Sequence, residues 1–453
     1  MKIRNRMKNV ISSSTGLWAA LAALVFLPST VFAQNGGFFN QRSVGGVSIS
    51  TGGVLAQPVV KDIELLKKSY LKNPTAVPKG LEKTVGMRMI SLRAVEEAVA
   101  KAMMNEGAKL PDEIQYLAGI QRIQFIFVYP EKNDIVLAGP GEGWKMDANA
   151  NMVGVTTGRP VLRLEDLVLA LRTVENARQG GITVSIDPTE EGRRQLDELL
   201  STQTTFSSGV LDKIEKALGP QQISITGVPD TSSFARTLVG SDYKMKRIAM
   251  KLEDSPVKGL PSYIDMLKGP PENMMPRWWM ACDYEPLAKS PDGLAWELRG
   301  RGVKVLTEDE VIANGKVAGT GKANPVAQKW ADTMTAKFDE LSIQEPVFGD
   351  LRNLMDMCVI SAVIAKEGLL SKANLSLPLL MDNASKLTVT EWDAPKTVDT
   401  QCSATKRGRE FIITASGGVE INSWAVADKT VENAAVAAIR EQAAPQAGSG
   451  LTW

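Results

Sequence analysis

Apolar positions along this chain follow two periods, and the alternation between them sets the predicted elements. Ser91 precedes Leu92, Val95, Val99 and Met103, which lie on one helical face, and Gly107 follows Asn105; this spacing predicts a capped helix over 92–105. Residues 123–130 and 134–138 are continuous β-prone runs joined by Glu131-Lys132-Asn133, the signature of a hairpin. Leu164, Leu167, Val168, Leu171 and Val174 predict a second amphipathic helix. Residues 182–186 lead through Asp187-Pro188-Thr189 into a helical stretch ending near Leu200, and 223–225 lead through Pro229-Asp230-Thr231 into another. Two such strand–helix units suggest an α/β layer with an internal duplication.

The segment from Gly269 to Pro276 reads as a boundary. Beyond it, 277–306 reads as an antiparallel meander, with Ser290-Pro291-Asp292-Gly293 turning between 279–287 and 294–298. Asn324-Pro325 starts a helix carrying Trp330, Met334, Phe338 and Leu341. Residues 351–364 are apolar nearly all round, with Asp356 and Lys366 in the same short span, as in a buried central helix. Strand-like alternation returns over 387–424, and 431–439 reads as a closing helix. The expected fold is mixed α+β: an N-terminal α/β layer at 59–268, then an antiparallel sheet packed on a buried apolar helix at 277–440, with a polar tail at 441–453.

The first 33 residues change the picture from fold to location. Lys2, Arg4, Arg6 and Lys8 precede an apolar core at 17–27, and Val31-Phe32-Ala33 supplies the small residues that a signal peptidase reads, placing cleavage between Ala33 and Gln34. The core is shorter than the roughly 20 residues a membrane span needs, so the expected product is exported, periplasmic or extracellular, and not membrane-spanning after cleavage. Residues 34–58, rich in Gly, Ser, Asn and Gln, read as a tether. Within them Gly45-Gly46-Val47-Ser48-Ile49 is echoed by Gly417-Gly418-Val419-Glu420-Ile421, so the first copy could form a short strand like the second. Loss of the leader leaves 48 basic against 51 acidic residues, a net charge of −3 in place of +1. Scattered, near-neutral charge offers nucleic acid no basic face.

The chain contains no histidine, where roughly ten would be ordinary. Ser-His-Asp and Cys-His hydrolysis and His-ligated metal chemistry are thereby excluded. What remains is a short inventory. Ser255 and Lys258 share Ser-x-x-Lys spacing, but Pro256 favours a turn over the helix such a dyad needs. Asp283 and Glu285, with Glu297 expected on the next strand, form a carboxylate set that reads first as a solvated face and second as glycosidase acids. Trp278, Trp279 and Trp296 form an aromatic group, with Trp278 expected to face the core and Trp279 the opposite side; such rings serve as core, as a domain interface or as a ligand platform. The string Gly139-Pro140-Gly141-Glu142-Gly143 reads as a turn that imitates an anion nest. Cys282, Cys358 and Cys402 lack metal-site spacing and leave one disulfide or three reduced thiols equally open. No cofactor or metal is expected. Without histidine, stability is expected to stay nearly flat between about pH 5.5 and 7.5.

Two stretches, 120–172 (IQRIQFIFVYPEKNDIVLAGPGEGW…TGRPVLRLEDLVLALR) and 276–356 (PRWWMACDYEPL…EPVFGDLRNLMD), resemble a family of exported bacterial proteins best known from planctomycetes and catalogued only as a domain of unknown function. The resemblance spans about 60–370; it implies export and one shared architecture, and it carries no functional residue. The reading of the whole chain is an exported cell-envelope protein acting as a non-catalytic binding or assembly component, its partner an envelope protein or polysaccharide. The alternative is a histidine-free hydrolase of envelope polysaccharide or peptide.

Overall fold

The structure, a computed structural model, describes residues 48–49, 53–56, 77–105, 110–202, 209–269, 276–308, 310–313, 316–319, 322–407 and 409–444. It is a mixed α+β fold built on two sheets. The larger has eight strands: β1 (Ser48–Ile49), β2 (Val54–Ala56), β8 (Ile182–Asp187), β9 (Gln221–Thr226), β10 (Arg277–Asp283), β13 (Gly302–Glu308), β16 (Thr397–Val398) and β19 (Ser416–Ile421), in the order β1-β2-β16-β9-β8-β19-β10-β13. The smaller joins β3 (Val85–Ser91), β4 (Phe125–Tyr129), β5 (Asp134–Gly141), β11 (Leu287–Lys289), β12 (Ala295–Glu297) and β20 (Thr430–Glu432), in the order β20-β11-β12-β4-β5-β3. Three two-stranded ribbons complete the set: β6 (Trp144–Met146) with β7 (Met152–Gly154), β14 (Glu310–Ala313) with β15 (Lys316–Gly319), and β17 (Ser403–Arg407) with β18 (Arg409–Ile413).

Local chemistry explains the elements. Ser91 accepts from the Ala94 amide and starts the helix Leu92–Met104. The Asn324 side chain accepts from Val326 and Ala327, and Pro325 fixes the first turn of Pro325–Ala336. The helix Pro346–Lys366 is buried at every position from Pro346 to Ile364. Several of its polar residues are paired: Arg352 with Asp339 at 2.7 Å, Asn353 with the Pro160 carbonyl, and Asp356 with Arg122 and Tyr284. Among the described residues, no helix is long and apolar enough to cross a membrane.

The two sheets differ in how they are covered. The smaller packs Ile126, Val128, Ile135 and Leu137 into the main core, while Phe127, Tyr129 and Val136 on its other face meet Val436 of the helix Ala434–Ala443. A strand buried on both faces carries an unbroken apolar run, which is why residues 125–129 read FIFVY. The larger sheet is packed on one face. Ile182, Val184, Ile186, Trp278, Met280, Val303, Val305 and Val419 join the core formed with the helices Ser233–Ala249, Pro325–Ala336 and Pro346–Lys366. There Trp278 lies 5.0 Å from Tyr263 and 4.9 Å from Trp330, ring centre to ring centre.

Three sequence expectations are corrected. The meander over 277–306 is split between the sheets, because Pro286 lacks an amide and the chain leaves β10 after Asp283. It returns through Gly300 and Gly302 at φ +108° and +92°; a Cβ on Gly300 would meet the Asp283 carbonyl at 2.7 Å. The 34–58 tether contains two strands, since Ser48–Ile49 pairs with Val54–Ala56 at one edge of the larger sheet; Gly45 to Val47 lie outside the described residues. The final tail is shorter than expected, because the helix Ala434–Ala443 runs into it. The leader and its junction at Ala33 and Gln34 also lie outside the described residues, as does most of the 269–276 segment. Strands from both sides of that segment share both sheets, with β10 beside β19 and β19 beside β8.

Candidate functional site

The uncovered face of the larger sheet is where alternation leaves Thr183 and Ser185 of β8, Arg277 and Trp279 of β10, Glu308 of β13, and Glu420 of β19. Their neighbours Val184, Trp278, Met280 and Val419 are buried on the other side. These outward residues line a cavity of about 400 Å³ together with Gly418. Register sets their spacing. Trp279 is directly opposite Gly418, and Gly418 is opposite Ser185, so Trp279 and Ser185 stand roughly 10 Å apart across two strand intervals. Arg277 is opposite Glu308 on one side of the ring, and its guanidinium carbon lies 5.9 Å from the Trp279 ring centre. Glu420 is opposite Thr183 on the other side.

Two glycines let the strand beneath this space pass close to its neighbours. Gly417 adopts φ +139°, and a Cβ there would lie 1.6 Å from the Trp278 carbonyl oxygen; one on Gly418 would lie 1.8 Å from the Val184 carbonyl oxygen. The Gly-Gly pair lets β19 run between β8 and β10. The result is a half-buried aromatic plane ringed by hydroxyls, two carboxylates and a guanidinium, above strands paired on both sides.

The remaining candidates are dispersed. Trp278 and Trp296 are fully buried and form no platform with Trp279; Trp296 lies on β12 in the smaller sheet, beneath Lys289 and Lys372. Glu297 follows it there, pairing with Ala288 and Phe125, so it is not beside Asp283. Asp283 sits 3.9 Å from Arg301, and Glu285, beyond the end of β10, 3.9 Å from Arg299. Such exposed pairs contribute little. Ser255 exchanges hydrogen bonds with the backbone of Val257 in an irregular turn, and Lys258 is exposed, so the Ser-x-x-Lys spacing makes no dyad. All three cysteines are free thiols, and burial pushes Cys282 and Cys402 up to about 12. Among the described residues, no three Asp, Glu or Cys side chains gather as metal ligands would.

Three buried polar groupings serve the fold. Asp356 accepts from Tyr284 at 2.6 Å, from the Ile123 amide, and from Arg122 through two bonds of 3.2 Å, tying the central helix to β4 and β10. Glu142 accepts from the amides of Thr156 and Thr157 and from Gln121, and although burial opposes it, these bonds hold its carboxyl down at about 2. The Gly-rich string thus supplies an anion to a neighbouring nest, where it had read as a turn resembling one. Arg163 lies 2.7 Å from Asp166, while burial pushes Glu165 and Asp350 close by up to about 7.

Sequence reasoning found Trp279 and missed Thr183, Ser185, Arg277, Glu308 and Glu420. Alternation within each strand carried the outward direction of all six. The order of the strands, with β19 inserted between β8 and β10, did not show in it. No curated protein and no solved structure matches the chain. Residues 184–263, running from β8 through the helix Ser233–Ala249 and on to Tyr263, match a family described as protein of unknown function (DUF1598).

Proposed function

We propose that this chain is an exported cell-envelope protein that acts as a non-catalytic binding component, and that the Trp279 face of the larger sheet is its ligand site. Export rests on the basic–apolar–small leader ending at Ala33. Binding rests on one observation: a cavity of about 400 Å³, within the roughly 300–1,000 Å³ range of small-ligand sites, around a half-buried tryptophan on the uncovered sheet face. The hydrolase alternative has less support, because its named acids Asp283, Glu285 and Glu297 are divided between a strand end, a loop and the other sheet. The test is affinity capture from envelope extracts with the mature protein and its Trp279→Ala variant, scored for protein and polysaccharide and for release of cleaved products. Capture lost in the variant supports the reading. Equal capture by both proteins refutes the site, and product release would favour the hydrolase.

A further inference from the structure

We infer that the Trp279 cavity takes a pyranose ring without an acid group, as one unit of an envelope polysaccharide; this rests on the binding reading above. The sheet dictates the mode of recognition. β8, β19 and β10 each have a strand on either side, so their backbone donors and acceptors serve the ladder and none is offered to a ligand. An extended peptide docking by strand addition would need those backbone partners, or a free strand edge. The cavity reaches from β8 to the edge strand β13, and that edge is met by Thr335, whose hydroxyl accepts from the Val305 amide. Recognition therefore falls to side chains: one flat apolar ring, the hydroxyls of Thr183 and Ser185, and the charged groups of Arg277, Glu308 and Glu420.

A pyranose fits that set. Its axial C–H groups give it an apolar face to lay on the indole, and its hydroxyls point outward to acceptors and donors around the rim. Charge narrows the class further. The Glu420 side chain is exposed and has no ion pair or hydrogen bond among the described residues, while Arg277, the one cation in the lining, stands opposite Glu308. Lys304 shares that face across Ala281 but makes no ion pair with Glu420 among the described residues, and a carboxylate outside an ion pair accepts from hydroxyl or ammonium groups and disfavours carboxylate or phosphate. Neutral and amino sugars are favoured, and uronic or phosphorylated sugars are disfavoured.

The experiment is calorimetric titration of the mature full-length protein with chitobiose, cellobiose and digalacturonate, alongside the Trp279→Ala, Trp279→Phe and Glu420→Gln variants. At least one of the first two sugars should bind, with digalacturonate weaker by tenfold or more. Trp279→Ala should abolish binding, and Trp279→Phe should retain part of it. Glu420→Gln should narrow the gap against digalacturonate several-fold, and urea midpoints should show all variants folded. If no neutral sugar binds while envelope capture still depends on Trp279, the saccharide assignment fails and the binding site stands. If capture does not depend on Trp279, the site itself fails. Preference for digalacturonate would also overturn the assignment.

Discussion

Raising the pH from 5 to 7.5 should destabilise this histidine-free protein, and the structure sets the scale. Burial, reinforced by the charge of Asp166, pushes Glu165 up to about 7 from 4.5; burial, opposed by Arg163, pushes Asp350 up to about 7 from 3.8. Burial likewise pushes Asp242, beside Lys246, up to about 6. A folded-state value above the unfolded one means that the folded chain keeps protons which the unfolded chain has released. The resulting stability is complete below about pH 4, is lost as pH rises through the folded value, and is gone above about 7.5. At about 1.4 kcal/mol per unit, Glu165 and Asp350 would each contribute roughly 3–4 kcal/mol. They share Arg163, so a combined loss of about 3–6 kcal/mol is expected. Urea unfolding followed by tryptophan fluorescence at pH 5, 6, 7 and 8 measures it. Asp350→Asn removes one titrating group and should shrink the loss by about half, leaving the variant close to wild type at pH 5 and more stable than wild type at pH 8. A wild-type midpoint unchanged across this range, or an Asp350→Asn variant with the full slope, would refute the reasoning.

Other expectations follow from packing and from processing. Trp278→Ala or Trp296→Ala should each cost about 3–5 kcal/mol in urea unfolding, as both rings are fully buried, whereas half-buried Trp279→Ala should cost about 1 kcal/mol or less. Asp356→Ala leaves the Arg122 guanidinium, 12% exposed, without its counter-charge and should cost about 3–5 kcal/mol by the same assay, the effect persisting in high salt. Below about pH 4 the direction of the pH effect reverses: Glu142, held at about 2 by Thr156, Thr157 and Gln121, contributes stability that is lost as acid protonates it, and Glu142→Gln should flatten that acid limb. Mass spectrometry of protein recovered from the native host should find Gln34 as the first residue; an intact leader in a membrane fraction would overturn the export proposal.

Local elements were legible wherever one strand or helix decides its own pattern. Ser91, Asn324 and the FIFVY run specify a cap, a start and a doubly buried strand from neighbours within a few residues. The outward direction of Trp279 follows from alternation alone. Which strands neighbour one another is decided by contacts far apart in the chain, and the meander reading failed there: Trp279 and Ala295 belong to different sheets although the turn at 290–293 was read correctly as a turn. The pH dependence expected from the structure departs from the flat one expected from the sequence for a related reason. The latter counted residue types, while the proton affinities of Glu165 and Asp350 are set by burial among the helices Leu164–Arg172 and Pro346–Lys366, packed together from opposite halves of the chain.

The position of β19 has a consequence for how the molecule is made. Residues 416–421 occupy a central place in the larger sheet, between strands that precede them by about 140 and 230 residues. Until this last piece arrives, β8 and β10 have no partner on their facing sides, and the sheet is two separate fragments. Loop-closure entropy over such spans slows their joining. A chain emerging from its N-terminus cannot close the sheet until nearly all of it is free. In a protein secreted as proposed, this wiring would keep the polypeptide threadable during transit and postpone consolidation to the far side.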